Sequence, residues 1–322
     1  MIRSDVVIVG AGPAGSTCAW KLKQAGVSVR LLDRHTFPRL KLCAGWVTPS
    51  VFSDLQTTPD HYPYGIREMK QLHIHVKGVG VPMPTRQYSI RRLEFDQWLL
   101  ERSDVTFHQH YVKSIEKRDQ AFIIDNTFSC RYLVGAGGTG CPVYRTFFKQ
   151  RHPRNRFRKI TTLELEFPYR YRDQRCYLWF LDHGLPGYAW YVPKQNGYLN
   201  IGIGGKFEGL KRRQMTIREY WQRFVRKLAH RSLVTTSELS PKGYNYFLRD
   251  RSPALQYKNA FLLGDAAGLA TMDMGEGIGP AIRSGILAAN AIVNDTPYSV
   301  DAIGRYSIID ILRPGKKSRG LA

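Results

Sequence analysis

The hydrophobic pattern at the start of the chain predicts a strand, a helix and a second strand in succession. Residues 4–10 (SDVVIVG) form a short β-branched run that ends in glycine, which is typical of a buried parallel strand. Residues 13–26 have helical spacing, and Gly26 stands where a helix commonly ends. Residues 27–33 (VSVRLLD) form a second apolar run. Strand, helix and strand in this order predict a right-handed crossover between two adjacent parallel strands.

Further strands and helices follow along the chain. Strand patterns occupy residues 68–78, 80–92, 131–138 and 260–268, two strands around a polar turn fill 105–126, and Tyr- and Trp-rich strands dominate 160–205. Helical spacing occupies residues 92–103, 216–229 and 275–292. The helix over 216–229 has an apolar stripe, a basic opposite face and Thr216 as its expected N-cap. We expect this helix to cover a sheet, and contact with a membrane is the alternative.

Composition narrows the class of protein. The 322 residues are 43% hydrophobic, which is typical of a folded chain. No apolar run reaches the roughly 18 residues of a membrane-spanning helix, and Asp5 ahead of the first apolar run argues against a signal peptide. Five cysteines without a CxxC pair predict a reducing compartment and no zinc site; they are Cys18, Cys43, Cys130, Cys141 and Cys176. We therefore expect a cytoplasmic protein.

The charge is unusually basic. The net charge of +22 attracts nucleic acid, anionic lipid head groups or phosphorylated substrates, and residues 145–159 contain seven basic side chains and no acidic one. No nucleic-acid recognition motif accompanies this segment, so we expect no specific nucleic-acid partner. A solvated basic surface and peripheral contact with an anionic membrane, on its inner surface, remain as alternatives.

A glycine motif between the first strand and helix predicts a dinucleotide site. Gly10, Gly12 and Gly15 form G-x-G-x-x-G, in which the first glycine permits a tight turn, the second lets the backbone approach a pyrophosphate, and the third allows close helix packing. The helix N-terminus offers N–H groups to the phosphates. Asp33 closes the second strand, where an acid accepts hydrogen bonds from ribose hydroxyls. This leaves NAD and FAD open.

A second strand-to-helix junction favours FAD. Residues 260–268 (AFLLGDAAG) place Asp265 at a strand end, and residues 274–279 (MGEGIG) open a helix with Gly277 and Ile278. An NAD site does not need a second junction of this kind. In an FAD site, Asp265 can bind the ribityl or pyrophosphate side, and the backbone at Gly277 and Ile278 can approach the polar edge of the flavin. We therefore expect FAD.

Several motifs together resemble one known family. They are GAGPAGS at 10–16, RRLEFD at 91–96, YAWYVPKQNGYLNIGIG at 188–204, GDAAG at 264–268 and GEGI at 275–278. This set is similar to the geranylgeranyl reductase family of FAD-dependent oxidoreductases, within the p-hydroxybenzoate hydroxylase-like flavoproteins. The resemblance implies an α/β fold in which a Rossmann-type FAD-binding domain (1–67, 92–145 and 250–295) is interleaved with an antiparallel-sheet substrate domain (68–91 and 146–249). Residues 296–322 are expected to form a short basic C-terminal tail, of which 313–320 (RPGKKSRG) is expected to be loose.

The resemblance also assigns residues. The implied cofactor-binding positions are Gly10, Gly12, Ala14, Gly15, Asp33, Cys43, Ala44, Arg92, Val112, Asp265, Gly277 and Ile278, with Val112 on a strand. The implied catalytic positions are Cys43, Tyr188 and Trp190, with the loop around Cys43 laid against the flavin and the aromatic segment on the substrate side. Asn200 belongs to the same aromatic motif.

The roles of the thiol and its neighbours stay open between chemistry and packing. Arg39 and Lys41 would favour a thiolate at Cys43 that acts as a proton donor or redox gate, and the alternative is a small buried packing residue. Tyr191 and Trp179 are further candidates for an aromatic slot, with an ordinary core position as an equal alternative for Trp179, and His183 is a candidate for the slot's wall. The paired histidines of 73–75 and 108–110 lack a third ligand, so we expect no metal.

The implied reaction is reduction of carbon–carbon double bonds in an isoprenoid or other apolar, lipid-like substrate by hydride transfer from reduced flavin. The chain departs from the family pattern in three places. Gly137 stands where the family has an acid that supports nicotinamide use, Trp46 follows the thiol loop where the family commonly has a small residue, and the chain ends earlier than is usual for the family. The electron donor is therefore left as NAD(P)H or another reductant. A flavin-dependent monooxygenase or halogenase acting on a small aromatic substrate is the alternative. The sequence gives no indication of the oligomeric state.

Overall fold

The computed structural model describes residues 1–236, 238–251, 253 and 255–307. In chain order its strands and helices are β1 (Ile2–Val9), α1 (Pro13–Gln24), β2 (Val29–Asp33), β3 (Trp46–Val47), α2 (Pro49–Asp54), β4 (Ile66–Val76), β5 (Val79–Ile90), α3 (Arg92–Ser103), β6 (Thr106–Gln109), β7 (Ile115–Arg118), β8 (Ala121–Ile124), β9 (Phe128–Gly135), β10 (Lys159–Pro168), β11 (Cys176–Phe180), β12 (Gly187–Lys194), β13 (Tyr198–Lys206), α4 (Phe207–Arg212), α5 (Ile217–His230), β14 (Lys242–Phe247), β15 (Gln256–Tyr257), β16 (Ala260–Leu262), α6 (Gly264–Ala267) and α7 (Ile278–Val293). The described chain forms two compact units. Unit 1 contains Met1–Arg39, Leu93–Asn155 and Tyr246–Ser307, and unit 2 contains Leu40–Arg92 and Arg156–Asn245.

Unit 1 is built on a mostly parallel sheet with the order β15-β16-β9-β1-β2-β6, to which β7 and β8 are added through pairing of β8 with β9. β1 is parallel to both β2 and β9, so the predicted crossover is confirmed. The helix between them ends as expected, because Gly26 takes a φ of +76° and donates its N–H to the carbonyl of Lys23. α1 and α7 pack together over this sheet, and their alanines and glycines allow a close approach.

Unit 2 is built on a second sheet with the order β14-β10-β13-β12-β11-β4-β5-β3. Its central strands alternate strictly, so Leu163, Ile201 and Tyr191 belong to one apolar cluster, which also contains the buried stripe of α5. α5 begins with a capping box between Thr216 and Glu219, as the sequence predicts. The helix therefore covers one face of the sheet and leaves the other face for polar side chains.

The unit boundaries differ from the expected ones. The first break falls at Arg39/Leu40 instead of 67/68, because β3 and β4 both pair with β5 in the second sheet. The break expected at 145/146 falls at Asn155/Arg156, because Tyr144 and Phe148 pack in a core cluster with β7, β8 and β9 of unit 1.

Two local expectations also need correction. Val112 does not lie on a strand: the chain bends between β6 and β7, where the carboxylate of Asp125 accepts the backbone N–H groups of Lys113 and Ser114. Residues 296–307 are part of unit 1 and not a separate tail, since Tyr298, Val300 and Ile303 are buried in the core cluster that contains β1, α1 and α7. Residues 308–322 of the expected tail lie outside the described residues.

Candidate active site: a glycine cradle and a thiol loop

The glycine motif in unit 1 forms a cradle that side chains would fill. Gly10 takes a φ of +111°, and a Cβ there would lie 2.4 Å from the carbonyl carbon of Ala136. A Cβ at Gly15 would lie 1.8 Å from the carbonyl oxygen of Gly10. α1 begins at the Gly12 N-cap with no acidic residue in its first turn. These features fit a pyrophosphate at the helix N-terminus, because the backbone can approach closely and no carboxylate repels the phosphates.

Asp33 is tied to the same loop. Its Oδ2 accepts the backbone N–H of Ala11 at 2.9 Å, and its Oδ1 accepts the N–H of His35 at 3.0 Å. The carboxylate therefore fixes the glycine loop against the end of β2, and its remaining lone pairs are the ones available to a ribose. Arg39 also reaches the cradle: its guanidinium forms a 3.4 Å ion pair with buried Asp96, and its Nη2 would lie 3.3 Å from a Cβ at Gly12.

The second junction lies beside the first within unit 1. A Cβ at Gly264, the first residue of α6, would lie 3.3 Å from the Cβ of Ala14. Gly277 is the N-cap of α7, ahead of Ile278, and a Cβ at Gly277 would lie 3.4 Å from Oδ1 of Asp265. The structure therefore brings together two strand-to-helix junctions at the carboxyl ends of β1 and β16, which is where open α/β sheets bind nucleotides.

In unit 2, Cys43 and Ala44 lie in a loop that is anchored to the polar face of the sheet. The amide of Asn200 donates to the carbonyl of Cys43 at 3.2 Å, and the carbonyl oxygen of that amide accepts the indole N–H of Trp190 at 2.7 Å. Asn200 is fully buried, so both hydrogen bonds are shielded from water. Within the loop, the N–H of Gly45 donates to the Cys43 thiol at 3.4 Å. The structure therefore brings the thiol loop and the aromatic motif together.

The indole of Trp190 packs against Gly202, which has no side chain to displace it. Gly202 is paired with both Glu164 and Trp190 on the neighbouring strands, and a Cβ at Gly202 would lie 2.1 Å from Cζ2 of the indole. Tyr188 lies next to Trp190 on the same face, with ring centroids 5.8 Å apart. The two aromatic residues predicted as catalytic therefore share one face with the Cys43 loop.

Two buried charged residues on this face were missed by the sequence analysis. Lys194 is fully buried, and its Nζ donates to the carbonyl oxygens of Ala44 and, at 2.8 Å, of Ile90, while burial lowers its pKa. Glu164 is also buried, and burial raises the pKa of its carboxyl to about 7. Both were detectable: Glu164 alternates with Leu163 and Leu165 along a strand, and Lys194 ends a strand of buried aromatic residues.

Three expected members of the aromatic slot lie elsewhere. Trp179 and Tyr191 point to the opposite face of the sheet, where they pack in the apolar cluster with Phe224 of α5. Alternation along β11 and β12 dictates this, because Tyr191 follows Trp190 directly. His183 lies in an exposed turn between β11 and β12 and does not form a pocket wall.

The remaining predicted site residues are placed as follows. Arg92 is buried at the start of α3 and is the last residue of unit 2 before the chain enters unit 1. Val112 is buried in the second core cluster of unit 1. Among the described residues no group of three metal-ligating side chains is present, and the described cysteines are all free thiols, of which Cys43 alone is partly exposed.

Comparison with known proteins agrees with these features. Residues 8–46 match the family model described as an NAD(P)-binding Rossmann-like domain. The chain is 31% identical to an uncharacterized protein of Methanosarcina barkeri, covering 91% of this chain and 75% of that protein. It is 27% identical to a menaquinone reductase of Mycobacterium tuberculosis (90% and 76% covered) and 25% identical to a geranylgeranyl diphosphate reductase of Rhodobacter capsulatus (90% and 75% covered).

Solved structures share the fold. A geranylgeranyl bacteriochlorophyll reductase-like protein from Thermoplasma acidophilum superposes with a TM-score of 0.77 at 19% identity, covering 91% of this chain and 79% of that one. A flavin-dependent brominase superposes with a TM-score of 0.69 at 16% identity, covering 91% and 79%. The sequence relationships extend over nearly the whole chain and agree with the motifs. The chain belongs to the geranylgeranyl reductase family of FAD-dependent oxidoreductases.

Proposed function

We propose that this enzyme reduces carbon–carbon double bonds in an isoprenoid or similar apolar, lipid-like substrate. The observation that carries the proposal is the hydrogen-bonded connection from Trp190 through Asn200 to the Cys43 loop. It connects the thiol loop to the buried indole of Trp190, and the half-buried ring of Tyr188 lies beside that indole on the same face of the sheet. The printed names of two relatives, a geranylgeranyl diphosphate reductase and a menaquinone reductase, support a substrate of this class.

Unit 1 would hold FAD through its glycine cradle. The backbone of Gly10, Gly12 and Ala14 would receive the pyrophosphate, with Asp33 toward the ribose and Asp265 toward the ribityl chain. When bound and reduced, FAD supplies the hydride. The cradle's task is to keep the cofactor in one orientation, which removes much of the entropic cost of bringing donor and acceptor together.

Unit 2 would handle the substrate. Tyr188 and Trp190 offer flat apolar surfaces to an alkene. Trp190 is buried and Tyr188 is half-buried, so an alkene that covers the Tyr188 ring would displace water that otherwise competes for the proton. The Cys43 thiol would donate a proton to the carbon that does not receive the hydride. Lys194 holds the carbonyl of Ala44 and that of Ile90, so the backbone beside the thiol is fixed before substrate arrives.

The electron donor is proposed to be a reductant other than directly bound NAD(P)H. Gly137 stands where the family resemblance implies an acid, and a Cβ there would lie 3.3 Å from Cα of Cys141. This spacing leaves little room for the missing side chain. A single test separates the donors: NADH, NADPH and dithionite are each added to the oxidised FAD-loaded protein without oxygen, and bleaching by dithionite alone is expected.

We also propose that the protein contacts anionic membranes, where such substrates reside. Within the described residues no helix has the length and apolar character needed to cross a membrane. The exposed surface of α4, α5 and the residue that follows each helix is strongly basic and includes Lys211, Arg212, Arg213, Arg218, Arg223, Arg226 and Arg231. Because the apolar stripe of α5 is buried in its own unit, the contact would be electrostatic.

The test of the proposed reaction is product analysis. The protein is loaded with FAD, reduced with dithionite without oxygen, and incubated with geranylgeranyl diphosphate and with a menaquinone. We expect mass spectrometry to find products that have gained two hydrogen atoms per reduced double bond. Unchanged lipids, together with oxygen-dependent hydroxylation or halogenation of a small aromatic compound, would instead support the monooxygenase or halogenase alternative suggested by the shared fold.

A further inference from the structure

Glu164 is a buried acid beside the Cys43 loop. It lies on β10 directly across Gly202 from Trp190, on the polar face of the sheet, and only 4% of it is exposed to solvent. Its carboxylate accepts the backbone N–H of Cys43. A carboxyl group this deeply buried is rare unless it is paired or has a task, so its surroundings decide what it can do.

The charged groups around Glu164 come from three elements. Lys41 and Cys43 face it from the thiol loop, Lys194 faces it from β12, and Glu166 faces it from its own strand. Burial is the largest influence and raises its pKa; Lys41, the Cys43 N–H and Lys194 lower that pKa, and Glu166 raises it further. The balance lies at about 7, so the group can both hold and release a proton near neutral pH.

We propose that Glu164 is the proton reservoir of the Cys43 loop and re-protonates the thiol after each reduction. This inference rests on the proposed function. The S–H bond of Cys43 breaks as a C–H bond forms on the substrate, which leaves a thiolate. The O–H bond of Glu164 then breaks and a new S–H bond forms, which leaves a carboxylate. Solvent returns a proton to that carboxylate, so each double bond consumes one hydride from the reduced flavin and one proton from water.

Neighbouring groups are less suited to this task. Glu166 forms an ion pair with Arg91 at 3.0 Å, so its carboxylate already has a partner outside the thiol loop. Lys194 directs its Nζ at two backbone carbonyls and acts as a structural clamp. Lys41 and Lys194 would also stabilise the carboxylate that Glu164 becomes after release, which lowers the cost of the transfer. Glu164 is thus a positioning and proton-storing residue that acts through Cys43.

The first test needs neither flavin nor substrate. Infrared difference spectra of the apoprotein are recorded from about pH 5 to about pH 9, on either side of the inferred midpoint. A C=O stretch from a protonated carboxyl is expected to disappear with a midpoint near 7 in the wild type and in Glu166→Gln, and to be absent in Glu164→Gln. Lys41→Met should move the midpoint upward, because a cation that favours the carboxylate is lost. A wild type without this band would overturn the inference even if Glu164→Gln fails to fold.

The second test follows Cys43 itself. Alkylation by iodoacetamide, located by peptide mass mapping, is measured across the same pH range. In the wild type and in Glu166→Gln, the plot of alkylation rate against pH should change slope near the pH at which Glu164 is half ionised. The reason is that a negative charge develops beside the thiol there. In Glu164→Gln this change should be missing. An identical profile in all three proteins would contradict the inference.

Turnover then distinguishes the two proposals. Glu164→Gln should bind FAD with unchanged affinity, reduce the lipid about 10² times more slowly in repeated turnover, and lose the pH dependence near 7, whereas Glu164→Asp should recover part of the rate. If the wild type reduces no lipid, the proposed function fails while the infrared and alkylation tests still decide the role of Glu164. If Glu164→Gln matches the wild type in rate and pH profile, the inference fails and the proposed function stands.

Discussion

Trp190 and Asn200 stand on neighbouring antiparallel strands and share a hydrogen bond of 2.7 Å from the indole N–H to the side-chain oxygen. Since Asn200 also donates to the carbonyl of Cys43, one side chain connects the aromatic surface with the thiol loop. The bond thus gives the loop a fixed position relative to the ring. Several consequences of this arrangement and of the cradle in unit 1 can be measured.

Asn200→Ala should loosen the thiol loop. The substitution leaves the indole N–H of Trp190 and the carbonyl of Cys43 without their buried partner, which costs about 1–3 kcal/mol of unfolding free energy. Alkylation of Cys43 should become faster, because the loop has lost an anchor. Chemical denaturation and mass mapping measure both effects. The control Asn290→Ala, at an exposed position on α7, should change stability by less than about 0.5 kcal/mol. Equal behaviour of the two variants would contradict the proposed anchoring.

Gly12→Ala should separate FAD binding from folding. Gly12 has a φ of −77°, and a new Cβ would meet only the flexible end of Arg39 at 3.3 Å. We therefore expect a normal melting temperature but at least about tenfold weaker FAD binding by calorimetry, because the methyl group blocks the approach of the pyrophosphate.

Two other glycines serve as controls for this experiment. A Cβ at Gly140 would have no other atom within 4 Å, so Gly140→Ala should leave the melting temperature and the FAD affinity unchanged. Gly15→Ala places its Cβ against the Gly10 carbonyl oxygen and should impair folding itself. Full FAD affinity in Gly12→Ala would exclude the cradle as the phosphate site.

Stability should depend on pH through Glu164. Its pKa is raised in the folded protein from the ordinary 4.5 to about 7, so between these values the folded state keeps a proton that the unfolded state releases. The free energy of unfolding therefore falls as the pH rises through this window, at roughly 1.4 kcal/mol per pH unit and by about 3 kcal/mol in total. Above the window it stays constant. Denaturation of Glu164→Gln should lack this loss, and Glu166→Gln should retain it. A flat wild-type profile would show that Glu164 ionises normally.

The two faces of the unit 2 sheet should respond differently to substitution. Trp179→Ala removes a buried ring from the cluster under α5 and should cost about 3–5 kcal/mol of unfolding free energy. Trp190→Phe keeps an apolar ring but loses the bond to Asn200, and we expect product formation to fall at least about tenfold while FAD affinity stays constant. Unimpaired turnover by Trp190→Phe would remove this residue from the proposed substrate surface.

The basic face of α4 and α5 should govern membrane binding. Replacing Arg218, Arg223 and Arg226 by Glu should abolish co-sedimentation with vesicles of phosphatidylcholine and phosphatidylserine, since each basic residue near such a surface contributes about 1 kcal/mol. Vesicles of phosphatidylcholine alone should not bind the wild type.

The matched control makes the same charge change in unit 1. Its positions are the exposed residues Arg3, Lys113 and Arg131. If the control weakens vesicle binding as much as the α5 variant, the attraction reflects net charge and no particular surface.

Local patterns predicted the parts of the fold that short-range chemistry determines. The crossover around α1, the capping box at Thr216 and the positive φ of Gly26 all follow from neighbours in sequence. The unit boundaries were misplaced because pairing of β3 with β5 joins residues far apart in the chain, and no local signal reports it. Long-range pairing therefore limits what a single sequence reveals about domain organisation.

In the candidate site, too, local patterns predicted some residues, whereas others depend on contacts between distant parts of the chain. Cys43, Tyr188 and Trp190 were predicted through a motif, and the structure adds that the thiol loop and these two rings share one sheet face with Glu164 and Lys194. Strict alternation along β12 already excludes Tyr191 from that face, so this error was avoidable. By contrast, the burial of Lys194 depends on the carbonyls of Ala44 and Ile90, which reach it only in the folded sheet.

The most direct test of the proposed reaction is an anaerobic stopped-flow experiment on the FAD-loaded, dithionite-reduced protein. Excess dithionite is removed first, and the protein is then mixed with geranylgeranyl diphosphate. If the lipid accepts the hydride, the absorbance of oxidised flavin returns without oxygen, with one flavin oxidised for every double bond saturated. A flavin that stays reduced in the presence of this lipid and of a menaquinone, but reoxidises as soon as oxygen is admitted, would contradict the proposed reaction.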